Sequence, residues 1–173
     1  MIKDQSIQEK KSINTYELEN IDIWIVKDNW LMWNNGVRNK LWLENYSYNS
    51  LLEKSAFKRS EQAKEKWNIS HKRNIWDSYY DYNKINNWFK ENWIDCENIS
   101  RITHSESIWW WIYNCSDWEC SDELSESIRE TFDFYMSEKW KANNAHYRAL
   151  TQKYFTNIWL WISVKNMQNN SYK

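Results

Sequence analysis

The sequence predicts one domain, either of the α+β class or built as a three-layer α/β/α sandwich. Four stretches are long enough for a helix and have apolar residues spaced three and four positions apart, which predicts four helices. Short β-leaning stretches lie between the third and fourth of them and near the end of the chain. The 173 residues suffice for a single hydrophobic core, and no internal repeat divides them. We therefore expect helices packed around a small sheet.

The limits of the domain follow from where these patterns begin and end. We expect one domain over residues 28–166, preceded by an N-terminal segment (1–27) whose order the sequence leaves undefined and followed by a polar tail (167–173). The predicted first helix, Asn29–Lys40, has Leu31 and Val37 as apolar positions. The second spans residues 50–66, where Ser50 as N-cap and Glu53 three residues later form a capping box.

The third and fourth predicted helices flank the first β-leaning stretches. The third covers Tyr79–Asn92 and the fourth covers Ser125–Lys139, each with apolar side chains at helical spacing. Between them, ENISRI and SIWWWIYN are predicted strands. A last strand is expected over Asn157–Val164, in NIWLWISV.

The glycine and tryptophan contents are abnormal. An average composition would give about 12 glycines in a chain of this length, whereas this one has 1 glycine and 15 tryptophans. Several tryptophans also stand where glycine is physically preferred. Trp67, Trp93 and Trp140 each follow a predicted helix, at the position where the backbone usually turns left-handed, and Asp117-Trp118 replaces the Asp-Gly of a tight hairpin turn.

These positions predict that most of the tryptophans are glycines in the native protein. UGA codons are read as tryptophan in some genetic codes and as glycine in others, and the many Asn, Lys, Ile and Tyr residues without any proline suit an AT-rich gene. The alternative is a true tryptophan-rich surface that binds carbohydrate or a membrane interface. Such a surface has no reason to select helix ends and hairpin turns.

Charge and hydropathy exclude some partners. The net charge of −1 gives no field that would attract nucleic acid. The sequence also contains no run of 18 apolar residues, which is the pattern that predicts a transmembrane helix. The chain begins without the apolar core of a signal peptide, so the protein is cytoplasmic or its leader is missing from this sequence. Cys115 and Cys120 can close a small loop in an oxidising compartment, which leaves Cys96 as a thiol or for pairing with another chain.

Four short motifs in order resemble the CAP superfamily, also called SCP or cysteine-rich secretory protein domains. They lie in the segment Asn34–His71, which ends in WNISH, in CENIS (96–100), in FYMSE (134–138) and in Ala145–Val164. Trp42, Trp159 and Trp161 occupy glycine positions of the family pattern. The resemblance covers about residues 30–165 and implies a CAP-type α/β/α sandwich placed outside the cell or in its envelope.

The resemblance also implies a cleft that collects two histidines and two glutamates, which are His71, Glu97, Glu138 and His146. His104 has no role in the family pattern and is interpreted as a loop residue. Imidazole and carboxylate groups of this kind can bind Zn²⁺ or another divalent cation, with His71 and His146 as the ligands. They can also exchange protons as acid and base, or simply hold the cleft together by hydrogen bonds.

Three functions remain open at this point. The first is a secreted or envelope-associated binding module for a lipid, glycan or peptide. The second is a metal-dependent hydrolase or peptidase-like enzyme that uses the same cleft. The third is a structural interaction protein with a vestigial site. The chain shows neither a Ser-His-Asp nor a Cys-His order, and a fold alone does not fix an activity.

Overall fold

The computed structural model describes residues 20–66, 69–94, 105–109, 115 and 118–163. Over these residues the fold is mostly helical with a small two-stranded sheet, which is compatible with the α+β class. In chain order the elements are α1 (Ile23–Lys40), β1 (Ser47–Tyr48), α2 (Ser50–Lys66), α3 (Tyr82–Glu91), α4 (Ser121–Ser137), a 3₁₀ turn (Glu138–Trp140), α5 (Ala145–Leu150) and β2 (Asn157–Ile158). In this part of the chain, no helix has both the length and the apolar character needed to cross a bilayer.

Helix α1 begins at Ile23, earlier than the predicted Asn29. Asp22 is its N-cap, and the Asp22 carboxylate accepts a hydrogen bond from the backbone N–H of Trp24 at 2.9 Å. The first turn is also fixed by packing, because Ile23 and Val26 are buried in the core. The core of the domain therefore includes residues that the sequence assigned to the N-terminal segment.

Helix α2 has the predicted bounds but a different cap. The side-chain oxygen of Asn49 accepts hydrogen bonds from the backbone N–H groups of Leu51 and Leu52, at 2.9 and 3.1 Å. Asn49 is therefore the N-cap, and Ser50 is the first helical residue. Glu53 does not complete a capping box, since its carboxylate binds the ammonium group of Lys27 at 3.2 Å.

The remaining elements are shorter or shifted relative to the predictions. Helix α3 begins only at Tyr82 because the Asp81 carboxylate caps it. Helix α4 begins at Ser121, before the predicted Ser125, and its last residues tighten into the 3₁₀ turn. Of the predicted last strand, whose described part ends at residue 163, Asn157 and Ile158 form a ladder, parallel to β1, with Ser47 opposite Asn157. ENISRI lies outside the described residues, and so does most of SIWWWIYN.

The hydrophobic core is formed mainly between α1 and α4. Trp30 of α1 packs edge-on against Phe132 of α4, with ring centroids 5.8 Å apart. The buried residues of the cluster are Ile21, Ile23, Val26, Trp30, Leu124, Ile128, Phe132, Tyr135, Leu150 and Ile162. Tyr135 is thus both a core residue and a neighbour of the site described below.

Helices α1 and α3 end in the same left-handed motif. Trp42 has φ 57° and Trp93 has φ 61°, and they are the described non-glycine residues with positive φ. After each helix, two backbone hydrogen bonds close a Schellman motif, Trp42 to Asn39 and Leu43 to Arg38 after α1, and Trp93 to Lys90 and Ile94 to Phe89 after α3. Both tryptophans therefore occupy the C′ position, where glycine is favoured.

The same prediction is wrong for Trp140, and two other positions lie outside the described residues. Trp140 belongs to the 3₁₀ turn that follows α4, and it is absent from the positive-φ residues. The helix tightens at that point instead of reversing, so no left-handed residue is needed there. Trp67 and Asp117 are not among the described residues.

A disulfide bond joins Cys115 to Cys120, with the two Cα atoms 5.5 Å apart. Cys120 is fully buried and precedes α4, and its backbone N–H donates to the carbonyl of Asn20 at 2.6 Å. The bridge therefore lies where the chain enters α4 beside the start of α1. Cys96 lies outside the described residues.

Candidate functional site

One histidine–glutamate pair forms at the junction of α4 and α5. Glu138 follows the last residue of α4, and His146 is the second residue of α5. The Nδ1 atom of His146 lies 2.8 Å from Oε1 of Glu138, and the backbone N–H of His146 donates to Oε2 of the same carboxylate at 3.1 Å. One carboxylate therefore holds both the ring and the backbone of His146.

The ring of His146 is also held by an aromatic neighbour. Tyr135 stacks on it with centroids 4.2 Å apart and planes 7° from parallel. Tyr135 is buried against the α1–α4 core, and its hydroxyl pKa is raised by that burial and by the nearby Glu138 charge. The imidazole is thus fixed on one face by the core and along one edge by Glu138.

The protonation of Glu138 sets the tautomer of His146. Burial raises the pKa of the Glu138 carboxyl. The hydrogen bond and the positive charge of the His146 ring lower it, as do hydrogen bonds from the backbone N–H groups of Tyr147 and His146. These effects outweigh burial, so the pKa is lowered overall. An ionised carboxylate accepts hydrogen bonds only. Nδ1 of His146 must therefore donate, and Nε2 carries the lone pair when the ring is neutral.

A second pair forms between His71 and Glu106. Nδ1 of His71 lies 3.0 Å from Oε1 of Glu106, although the two residues are 35 positions apart. Glu106 was not among the predicted site residues. The other carboxylate that the family resemblance gives to the cleft, besides Glu138, is Glu97, which lies outside the described residues.

Two arginines converge on the same carboxylate. Arg73 donates to Oε1 of Glu106 at 2.9 Å and also to Oε2, and Arg59 lies 3.4 Å from Oε2. Burial raises the pKa of Glu106, but hydrogen bonds from His71 and Arg73 and the charges of Arg73 and Arg59 lower it overall. Glu106 is therefore ionised, and Nδ1 of His71 is the donor by the same reasoning that applies to His146.

Two tyrosines pack against the ring of His71. The ring centroids of Tyr80 and Tyr79 lie 4.7 and 5.6 Å from that of His71, both in edge contacts. The hydroxyl of Tyr80 accepts a hydrogen bond from the backbone N–H of Glu106 at 3.0 Å. Tyr80 therefore links the imidazole to the segment that carries its glutamate.

The segment 105–109 connects the surroundings of the two histidines. Glu106 at its start binds His71, and Trp109 at its end packs against Tyr135 with centroids 6.0 Å apart. Three residues of extended chain span about 10 Å at most. Glu106 is therefore close along the backbone to Trp109, which contacts the Tyr135 ring that stacks on His146. Each histidine nevertheless has its own glutamate.

The described part of the site contains no preformed cluster of metal ligands. No group of three or more His, Cys, Asp or Glu side chains stands in a metal-binding arrangement within the described ranges. His71 and His146 are the predicted ligands, and their side chains are 11% and 32% exposed. Glu97 and His104 lie outside the described residues, so the predicted meeting of all four site residues in one cleft stays a prediction.

Sequence reasoning missed Glu106 because nothing in its local sequence marks it. It stands in SES, which only Ile108 separates from three consecutive tryptophans, and its partners are distant in the chain. The one available signal was the pair of basic residues that follow His71 in HKR, since a charged side chain that becomes buried is usually paired with an opposite charge. That signal predicts a partner but cannot say which of the acidic residues it is.

No family model, curated protein or solved structure matches the chain. The resemblance to the CAP superfamily therefore stays a prediction that depends on four short motifs. Independent support for a site comes from the geometry of the two histidine–glutamate pairs.

Proposed function

We propose that this chain is a secreted or envelope-associated binding module of CAP type, with an α/β/α sandwich and a histidine–glutamate cleft that binds a divalent cation. The observation that supports the proposal is shared by both histidines. Each ring is fixed through Nδ1 by an ionised glutamate whose side chain is at most 10% exposed, at 3.0 Å for His71 and 2.8 Å for His146. This is the arrangement by which carboxylates orient histidine ligands of metals.

The chemistry of the donors indicates the type of metal. Neutral imidazole nitrogens suit Zn²⁺ and other borderline divalent cations. Tight zinc sites use three or four protein ligands, whereas the proposal supplies two histidines. We therefore expect weak and reversible binding, with water completing the coordination.

The surroundings of the pairs suit an organic ligand next to the cation. Tyr79 and Phe134 contact the two histidine rings and are 66% and 43% exposed. Exposed rings beside polar groups are typical of surfaces that bind partly apolar ligands. A lipid, a glycan or a peptide each meets this description. The module is proposed to bind one of them without hydrolysing it, because two histidines supply one ligand fewer than the three protein ligands of a catalytic zinc site.

Calorimetric titration with Zn²⁺ at pH 7.5 and at pH 5.5 tests the proposal. Binding is expected at the higher pH and weaker at the lower one, because protons compete for the same nitrogens. His71→Ala and His146→Ala should each abolish it, whereas His104→Ala is the matched control and should leave it unchanged.

Two outcomes would contradict the proposal. A flat thermogram at both pH values would favour a structural interaction protein with a vestigial site. Steady turnover of a peptide substrate that His146→Ala abolishes would favour a metal-dependent hydrolase. The same three variants serve both assays.

A further inference from the structure

Glu106 is the centre of a largely buried group of charged side chains to which His71 belongs. Its carboxylate accepts from the His71 ring and from Arg73, and it lies in ion-pair distance of Arg59. All four side chains are at most 12% exposed. An isolated charge at this depth would be costly, so the arrangement persists only while the glutamate is matched by its partners.

The arginines hold the backbone of His71 as well as its glutamate. Arg73 donates to the carbonyl of His71 at 2.7 Å, and Arg59 donates to the carbonyl of Ser70. Each arginine thus links the Glu106 carboxylate to a backbone carbonyl, Arg73 to that of His71 and Arg59 to that of the preceding residue. The ring, its carboxylate and the backbone that carries the ring form one connected unit.

We infer that Glu106, and not the Glu97 that the family resemblance gives to the cleft, is the positioning residue of His71. The inference rests on the proposed function in one respect, since it concerns the histidine that is proposed to bind the cation. Glu106 does not contact the cation. It holds the imidazole so that Nε2 is the nitrogen available to a ligand.

The inference has a consequence that needs no metal. Arg73 donates to both oxygens of the Glu106 carboxylate, and Nδ1 of His71 lies 3.0 Å from one of them. An oxygen in this position accepts, so neutral His71 must carry its proton on Nδ1. Long-range proton–nitrogen NMR spectra of the metal-free protein distinguish this tautomer from the one protonated on Nε2. We expect the Nδ1-protonated form for His71 in the wild-type chain, and a proton on Nε2 would overturn the inference.

Variants then identify which glutamate is responsible. Glu106→Gln should reduce the share of the Nδ1-protonated form of His71, because an amide oxygen accepts more weakly than a carboxylate. Glu97→Gln should leave the His71 signals unchanged, and Glu138→Gln should alter only those of His146. A change at His71 in Glu97→Gln without one in Glu106→Gln would assign the role to Glu97 and refute the inference.

Zinc titration supplies the second measurement. Glu106→Gln should weaken Zn²⁺ binding by roughly 10- to 100-fold, as is usual when the carboxylate behind a histidine ligand is removed, and Glu97→Gln should not. If the wild-type chain binds no Zn²⁺, the proposed function fails, while the tautomer still decides whether Glu106 positions His71. If Glu106→Gln does not fold, the wild-type tautomer and the Glu97→Gln spectrum decide.

Discussion

At the scale of single residues, Trp42 and Trp93 are the most informative positions. They are 96% and 85% exposed, so their indole rings contribute almost nothing to packing. They adopt a backbone conformation that penalises a Cβ atom. A residue that is strained and unpacked has no physical reason to be tryptophan, which supports the proposal that glycine stands here in the native protein.

Glycine at these two positions should stabilise the chain. We expect Trp42→Gly and Trp93→Gly each to raise the free energy of unfolding by about 1 kcal/mol, because glycine reaches the left-handed region without steric cost. The measurement is denaturant unfolding of the purified variants.

Trp140→Gly is the matched control. Trp140 is 86% exposed like the other two, but it lies in a 3₁₀ turn and has no positive φ. Glycine there should give no gain and should cost a few tenths of a kcal/mol through chain entropy. Equal gains at all three positions would contradict the left-handed explanation.

Mass spectrometry of the protein isolated from its own cells tests the composition directly. Peptides that cover Trp42 and Trp93 should have masses that correspond to glycine, as should those that cover Trp67 and residues 109–111. Tryptophan confirmed at these positions would refute the reassignment of UGA. The same peptides from a host that reads UGA as tryptophan serve as the reference.

At the scale of helices and strands, the sequence predicted which helices are present better than it predicted the residues at which they begin and end. The bounds of α2 were predicted because its apolar and capping signals are local. Its cap was assigned wrongly to Ser50, since Asn49 next to it is an equally good acceptor and only the backbone geometry separates them. The start of α1 was missed because Ile23 is helical through its packing against α4.

The surroundings of Lys27 in α1 have an effect on stability that can be measured. It is fully buried, its ammonium group binds Glu53, and it lies 4.7, 4.6 and 3.9 Å from the ring centroids of Trp24, Trp159 and Trp161. Burial lowers the pKa of Lys27 to about 8, against the opposing effect of the Glu53 charge. The ammonium form is therefore less favoured in the folded chain than in the unfolded one.

The free energy of unfolding should consequently rise with pH above about 8. Between that value and the ordinary lysine pKa of about 10.4, the unfolded chain binds more protons than the folded one, by an amount equivalent to at most about 1.4 kcal/mol per pH unit. Denaturant unfolding between pH 7 and 9.5 measures this slope. Lys27→Met should remove it, and a slope that persists in that variant would show that another group causes it.

The same titration bears on the composition of the chain. Glycine at Trp159 and Trp161 would remove two of the three rings around Lys27 and return its pKa toward the ordinary value. The pH dependence should therefore be weaker in a chain with glycine at those positions. A chain that carries both substitutions and keeps the full slope would show that burial by these rings is not the cause.

At the scale of the whole molecule, the two halves of the candidate site were predictable to different degrees. Glu138 and His146 are eight residues apart, and the short connection between two helices brings them together. His71 and Glu106 meet only after the chain between them has folded, so no spacing rule could pair them. Local contacts can be inferred from a sequence, whereas the choice of a distant partner depends on packing that single-sequence patterns do not encode.

The buried guanidinium of Arg38 bears on when the chain can fold during synthesis. Arg38 is fully buried and donates to the carbonyl of Glu44 nearby and to those of Gln152 and Phe155, which follow 114 and 117 residues later. Until the ribosome has released Gln152 and Phe155, the charge at the end of α1 lacks two of its acceptors and stays in water. A nascent chain can therefore complete the contacts of Arg38 at the end of α1 only after Phe155 has left the ribosome, more than a hundred residues after α1 itself.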